Sequence, residues 1–255
     1  MSLILTTLPD VPMVHTGDDL VRIAVNGLAK ASITLMDGDI LVLAQKIVSK
    51  AEGRWVNLVD IQPSERAIRL SYELQKDSRL IELILRESNQ VLRTRVGTII
   101  VEHRLGFVCA NAGIDHSNVA GEGKPDEEWV LLLPENPDES AQIIRDGIEK
   151  NSGVHIGVMI IDSHGRAWRQ GVVGATIGLS GLPGVVDMRG KSDLFGYTLR
   201  ITTIGAADEL AAAASLLMGQ AGEGTPIVHV RGFPYPLRDG NLNELLRPKD
   251  QDLFR

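Results

Sequence analysis

"VHIGVMIIDS", residues 154–163, decides how this chain is built. It reads as a continuous apolar strand that stops abruptly at Asp162. Upstream, "ENPDESAQIIRDGIEKNSG" (135–153) signals a helix, with Pro137 near its first turn and Gly153 as its stop. Downstream, no helix follows. "GVVGATIGLSGLPGVVDMRGKSD" (171–193) is glycine-rich and reads as irregular. A strand that is not answered by a second helix breaks the strand–helix–strand repeat of a parallel α/β sheet.

The rest of the chain mixes elements in the same way. "GDDLVRIAVNGLAK" (17–30) predicts a helix opening on acids, with Leu20, Ile23, Ala24 and Leu28 on one face. In "DGDILVLAQKIVSKAEGR" (37–54), Ile40 to Ala44 predict a buried strand, with Lys46 and Lys50 around its end. From Pro63 to Arg93 the pattern is helical, with Ser64 as N-cap and Leu80, Leu83 and Ile84 on the apolar face. "GTIIVEH", "GFVCANAG", "EWVLLLP" and "TPIVHVRG" predict strands. "DELAAAASLLMGQ" predicts a helix closed by Gly219 and Gly222. The expected class is α+β, with mixed, largely antiparallel sheets and helices, in one unit over residues 1–255.

Composition excludes several function classes. The 255 residues are 44% hydrophobic and 23% charged, ordinary for a globular protein. Aromatic residues make up 4% and the net charge is −7, so neither stacking platforms nor a basic footprint for nucleic acid is present. No apolar run approaches the roughly 20 residues needed to span a bilayer. "MSLILTTLPD" lacks the basic start and small-residue cleavage site of a signal peptide. A single cysteine, Cys109, allows no intrachain disulfide and fits a reducing, cytoplasmic setting. It lies in an apolar run, so packing is its expected role.

Chemistry is carried by two strand-terminal aspartates. "VCANAGIDHSNV" (108–119) breaks from apolar to small and polar residues around Asp115, and the strand at 154–163 ends on Asp162. Two hard oxygen donors, with Ser163 and Asn118 beside them, suit Mg²⁺ or Mn²⁺, although each aspartate could equally cap a turn. Zinc is not expected from one cysteine and scattered histidines. Lys50 could meet a phosphate as a point charge. "MGQAGEGTP" (218–226) places glycines after a helix, where backbone could approach phosphates, but it is neither a P-loop nor a Rossmann fingerprint. Arg166, Arg169, Arg189 and Lys191 stand among glycines and suggest an anionic substrate. His155, His164 and His229 show no spacing that argues for catalysis.

Taken in order, "DGDILVLAQKIVSKAEGR", "GFVCANAGIDHSNV", "DSHGRAWRQGVVGATIGLSGLPGVVDMRGKSDLFGY" and "GQAGEGTPIVHVRG" carry a resemblance. The series closely resembles the coenzyme F420-0:L-glutamate ligase family, from about "VPMVHTGDDL" to "VHVRG". That resemblance implies a stand-alone ligase without the C-terminal nitroreductase-like domain of some members. It also implies a two-lobed α+β unit in an intertwined homodimer. The implied reaction is GTP-dependent and GDP-forming. A carboxylate of F420-0 becomes an acyl phosphate, and the amine of L-glutamate then attacks it.

Two divalent ions, Mg²⁺ or Mn²⁺, are implied, with K⁺ as an aid. By motif, Asp115 and Asp162 correspond to ligands of the first metal, and Ser163 and Gln220 to ligands of the second. Nucleotide contacts fall on Asp10, Val11, Pro12 and Met13, on Gln45 and Lys50, and on Asn118. They continue through Met218, Gly219, Gln220, Ala221, Gly222, Glu223, Gly224 and Thr225. Lys50, Asp115 and Asp162 are the implied carriers of catalysis. Departures from the pattern are Gln45 where serine is common, Ser163 where threonine is common, and His116 where an acid is frequent. Two other classes share these features: a ligase of the same mechanism acting on another carboxylate, and a nucleotide- and metal-binding module without turnover. The long segment Gly171 to Gly190 is expected to close as a flexible lid, with Arg166, Arg169, Arg189 and Lys191 recognising substrate carboxylates.

Overall fold

A computed structural model describes residues 2–119 and 128–253. The first part of the chain runs β1 (Ile4–Thr7), α1 (Leu20–Lys30), β2 (Ile40–Ala44), α2 (Gln45–Ala51), β3 (Trp55–Asn57), α3 (Glu65–Leu74) and α4 (Ser78–Arg86). There follow β4 (Ser88–Arg95), β5 (Thr98–His103), β6 (Val108–Ala110), β7 (Trp129–Leu131), α5 (Pro137–Ser152) and β8 (Gly157–Arg166). The last elements are β9 (Arg169–Ser180), β10 (Val186–Asp187), β11 (Thr203–Ile204), α6 (Ala206–Met218) and β12 (Ile227–Arg231).

The largest sheet has the order β1-β12-β2-β8-β9, in which β2 and β8 run parallel and every other pair is antiparallel. A second sheet, β4-β5-β6, and the ribbons β3-β7 and β10-β11 are antiparallel. The class is α+β, as the mixed element order predicts.

The five-stranded sheet is covered on both faces. Leu41, Leu43, Val158 and Ile160 pack with Ile23 and Leu28 of α1 and Ala141, Ile144 and Ile148 of α5. Their neighbours in sequence, Ile40, Val42, Met159 and Ile161, point the other way, against Leu210, Ala211, Ala214 and Met218 of α6. Successive strand side chains alternate faces, so a strand buried on both sides must be apolar throughout. That is why 156–161 has no polar position. Helix ends follow local chemistry: Asp19 caps α1 through Arg22 N, Ser64 caps α3 through Ala67 N, and α5 has Pro137 in its first turn and left-handed Gly153 at its end.

Three expectations are corrected. The helical pattern from Pro63 to Arg93 is two helices, broken at left-handed Gln75, and it ends at Arg86. Ser88 to Arg95 turn into β4 because a partner strand, Thr98–His103, is available to pair with them. Lys46 and Lys50 lie on α2, which starts directly at the end of β2.

The third correction concerns the segment read as irregular. Arg169–Ser180 is a twelve-residue strand paired along β8, with a bulge at Ile177 between the Ile160 and Ile161 pairings. Two of its glycines, Gly174 and Gly178, are close-contact positions. A Cβ on Gly174 would overlap the Ala211 carbonyl of α6, and one on Gly178 would overlap Pro137 of α5. They let a helix press on each face, so this stretch does not form a flexible lid. Gly178→Ala should therefore destabilise the fold by about 2 kcal/mol, the usual cost of overpacking. The urea midpoint would fall with the m-value unchanged; an unchanged midpoint would refute the close-packing reading.

β5 ends on His103, which is fully buried. Its ring stacks on Phe107 at 5.1 Å, and Leu105 N donates to Nδ1 at 3.1 Å. Burial first, then the Arg104 charge, pushes its pKa down from 6.5 to about 3. Between those two values the unfolded chain binds a proton that the folded chain does not. Stability therefore falls as pH drops through that window, by up to a few kcal/mol. In chelator-treated buffer, His103→Phe should lose less stability than the parent between pH 7 and pH 4. Parallel losses in the two proteins would contradict this account.

Candidate active site

Parallel pairing of β2 with β8 brings two chain ends to one sheet edge. Ala44 sits opposite Ile161, so α2 begins beside Asp162. A cavity of about 320 Å³ opens at that edge, within the size range of small-ligand sites. Its walls are Val11 to Val14, the start of α2, Ile161 to Ser163 in the middle of β8, Asn118, and the loop from Met218 to Pro226.

Asp115 is set by an unusual backbone. Asn111, Ala112 and Gly113 are all left-handed, with φ of 52°, 54° and 64°. Such a run is strained for non-glycine residues and needs surrounding structure to hold it. Asp115 then pairs with Leu131 of β7 through both backbone hydrogen bonds at 3.0 Å. Its Oδ2 accepts from Gln45 Nε2 at 2.5 Å and lies 3.1 Å from Lys46 Nζ. Ser49 donates to Gln45 Oε1 at 2.9 Å, which fixes the amide so that its nitrogen faces Asp115. Burial raises the Asp115 pKa; Lys46 opposes this, and the nearby Asp162 charge adds to it. The abrupt break at 111–118 thus serves to hold a carboxylate at the cavity edge.

Asp162 and Ser163 are consecutive on β8 and so face opposite sides of the sheet. Asp162 stands across from Ala175 and Ser163 across from Gly174. Ser163 Oγ donates to Gln220 Oε1 at 2.9 Å, joining the strand to the loop after α6. Asn118 Nδ2 donates to the Ala221 carbonyl at 3.0 Å and ties the same loop to the Asp115 segment. Within that loop Ala221 N donates to Glu223 Oε2 at 2.8 Å, and Thr225 Oγ1 to the Met218 carbonyl at 3.2 Å. Gly219 and Gly224 hold positive φ.

Lys50 is buried on α2, with Nζ 5.6 Å from the centre of the Trp55 ring. Burial first, then repulsion from Lys46, lowers its pKa. Among the described residues no carboxylate forms an ion pair with it. A buried cation facing a cavity without an acidic partner is prepared for an anion.

Most residues singled out by motif therefore converge: Val11 to Met13, Gln45, Lys50, Asn118, Asp162, Ser163 and Met218 to Thr225 all line the cavity. Asp115 lies just behind Gln45 and Lys46. Asp10 does not join them; it is exposed and lies 3.4 Å from Lys30. Arg189 donates to Asp187, two residues away, at 2.7–3.0 Å, in an exposed surface pair. Arg166 donates to the Gln170 carbonyl of its own hairpin at 3.5 Å.

Two site residues escaped sequence reasoning. Lys46, one position into α2, is the partner of Asp115, and only the fold reveals that pairing. His164 Nε2 lies 3.1 Å from Asp162 Oδ2. Its signal was present, since residues two apart on a strand share a face.

The donor set fits a hard cation. Asp115 and Asp162 are neighbouring carboxylates, one of them with a raised pKa, and Ser163 and Gln220 add neutral oxygens. Among the described residues no group of three or more histidine, cysteine, aspartate or glutamate side chains could hold a metal, which disfavours a closed zinc-type centre. Two carboxylates with neutral oxygens leave room for phosphate oxygens on Mg²⁺ or Mn²⁺.

Comparison with known proteins places the chain in a family. Residues 10–232 match the model of the family described as F420-0:Gamma-glutamyl ligase. The coenzyme F420:L-glutamate ligase of Methanothermobacter thermautotrophicus is 44% identical over 257 residues, covering all of both chains. The protein of that name from Methanococcus maripaludis strain C7 is 47% identical, over 87% of this chain and 86% of the relative. That of Methanopyrus kandleri is 43% identical, over 95% and 93%. With the family model matched across the cavity-forming segments and a relative aligned from end to end, the chain belongs to the F420-0:gamma-glutamyl ligase family.

Proposed function

We propose that this protein joins L-glutamate to coenzyme F420-0 by a GTP-dependent, GDP-forming reaction through an acyl phosphate. The observation that carries the reading is one cavity lined by Asp162, with the Asp115 carboxylate close enough to feel its charge, and by a buried cation, Lys50, with which no carboxylate pairs among the described residues. Relatives named for this ligation, matched along the whole chain, support the substrate pair.

The difficulty in such a reaction is charge. A carboxylate must approach a γ-phosphoryl group that is itself anionic, so the site has to neutralise both. Lys50 does this from the cavity wall, and the backbone of the 219–225 loop can follow the phosphates closely because its glycines carry no Cβ. Asn118 holds that loop against the Asp115 segment. Asp115 and Asp162, with Ser163 and Gln220, would hold divalent ions, Mg²⁺ or Mn²⁺. When bound, these supply Lewis-acid neutralisation of phosphate charge. Potassium and GTP as the nucleotide rest on the family resemblance, and a cytoplasmic setting on the single cysteine. No helix among the described residues is long and apolar enough to cross a membrane.

A homodimer belongs to the same proposal. Leu194, Phe195 and Ile201 are 97%, 95% and 88% exposed on the segment between β10 and β11, a surface that a second copy would cover. Light scattering should give a mass near twice 27.7 kDa. An active monomer at all concentrations would refute it.

The reaction itself is tested by stoichiometry. With F420-0, L-glutamate and GTP present, GDP should form about one to one with amide bonds. Without F420-0, GTP turnover should be slow, since a site built for acyl transfer must keep water from the phosphoryl group. Rapid GTP hydrolysis unaffected by either substrate, or equal use of ATP, would overturn the reading.

A further inference from the structure

His164 is unassigned in the reaction as derived so far, yet it is the nearest side chain to Asp162. Its Nε2 lies 3.1 Å from Asp162 Oδ2, and both side chains are 12% exposed. Period-two geometry on β8 places both residues on one face, with Ser163 on the other. The imidazole is not free to wander. It packs against Phe107 with ring centres 5.2 Å apart, and Phe107 is stacked in turn on buried His103. Nε2 is buried and makes no well-aligned hydrogen bond to any group as it stands; Asp162 Oδ2, at 3.1 Å, is the acceptor within its reach.

We infer that His164 is a positioning residue, whose Nε2–H holds Asp162 Oδ2 so that the other carboxylate oxygen is presented toward Asp115 and the cavity. The physical reason is entropic and electrostatic. An aspartate close to a second carboxylate gains by rotating away from it. A donor anchored on Phe107 removes that freedom and offsets part of the repulsion. Groups that orient a ligating carboxylate in this way usually change metal affinity by 10–100-fold when removed. The aromatic column His103–Phe107–His164 then links the ligand to the core of the three-stranded sheet.

This inference rests on the proposed role of Asp162 as a metal ligand, and the test separates the two. Mn²⁺ affinity of the nucleotide-free protein, read by electron paramagnetic resonance, needs no turnover. His164→Phe keeps the ring packing on Phe107 and loses the donor; it should weaken Mn²⁺ binding by roughly tenfold or more. His164→Gln, whose amide nitrogen can reach the position of Nε2, should stay within about threefold of the parent. Thermal unfolding of each variant, measured alongside, reports on packing alone. Unchanged Mn²⁺ affinity in His164→Phe, or equal loss in both variants, overturns the positioning role. If Asp162→Asn also binds Mn²⁺ like the parent, the ligand assignment itself has failed. If Asp162→Asn loses Mn²⁺ while His164→Phe keeps it, only the inference about His164 has failed.

Discussion

Asp162→Asn should abolish Mn²⁺-supported ligation, lowering kcat/KM for GTP by at least about a hundredfold, while leaving the thermal midpoint within a few degrees of the parent. The substitution keeps the shape of the side chain and removes its charge. Asp162 lies within β8, which pairs with β9 on both sides of it, and Val158 to Ile161 are secured in the core, so the backbone there does not depend on the carboxylate. Removing that charge also relieves the repulsion that helps to raise the Asp115 pKa, which offsets the weakened contact with His164. Activity and stability should therefore separate. A variant that loses activity only in proportion to a fall in folded fraction would assign Asp162 a structural role. One that ligates normally would remove it from the site.

Lys50→Met should show the opposite relation between stability and function. In the parent, an ammonium group is buried beside Lys46 and over Trp55, and no acidic partner pairs with it among the described residues. That arrangement is costly until an anion arrives. Methionine fills similar volume without charge, so the thermal midpoint should rise. Loss of the cation at the phosphate subsite should lower kcat/KM for GTP by about a hundredfold. Most of the loss should appear as a raised KM if Lys50 holds the ground-state nucleotide, and as a lowered kcat if it acts on the transferring group. A variant that is both less stable and fully active would show that the lysine serves packing on Trp55 alone. The stability gain with activity loss is the signature of a functional site carrying electrostatic strain.

Much of the fold was legible because its signals are local. The α1 face of Leu20, Ile23, Ala24 and Leu28, the Ser64 cap, and the Pro137 start and Gly153 stop of α5 depend on neighbours within one or two helical turns. The apolar runs of β2 and β8 were equally plain, but the strand read as stopping at Asp162 continues to Arg166, because β9 is there to pair with it. The family resemblance then named nearly all of the cavity lining, because that lining comes from continuous motifs.

What escaped the sequence was decided between segments. Glycine at 174 and 178 is compatible with flexibility or with close approach; only the positions of α5 and α6 show that it is the latter. Arg189 among its glycines is compatible with a substrate or with pairing to an acid; the structure shows it donating to Asp187, two residues away. The pairing of Lys46 with Asp115 spans 69 residues of chain, and that of Gln45 with the same carboxylate spans 70. Both exist because β2 and β8 run parallel while the left-handed turn at 111–113 brings Asp115 to their shared edge. The sequence by itself determined which elements form and which residues carry charge, since periodicity and capping act over a few positions. The tertiary structure alone decided which charges meet, because register and packing set distances between residues that the chain keeps far apart.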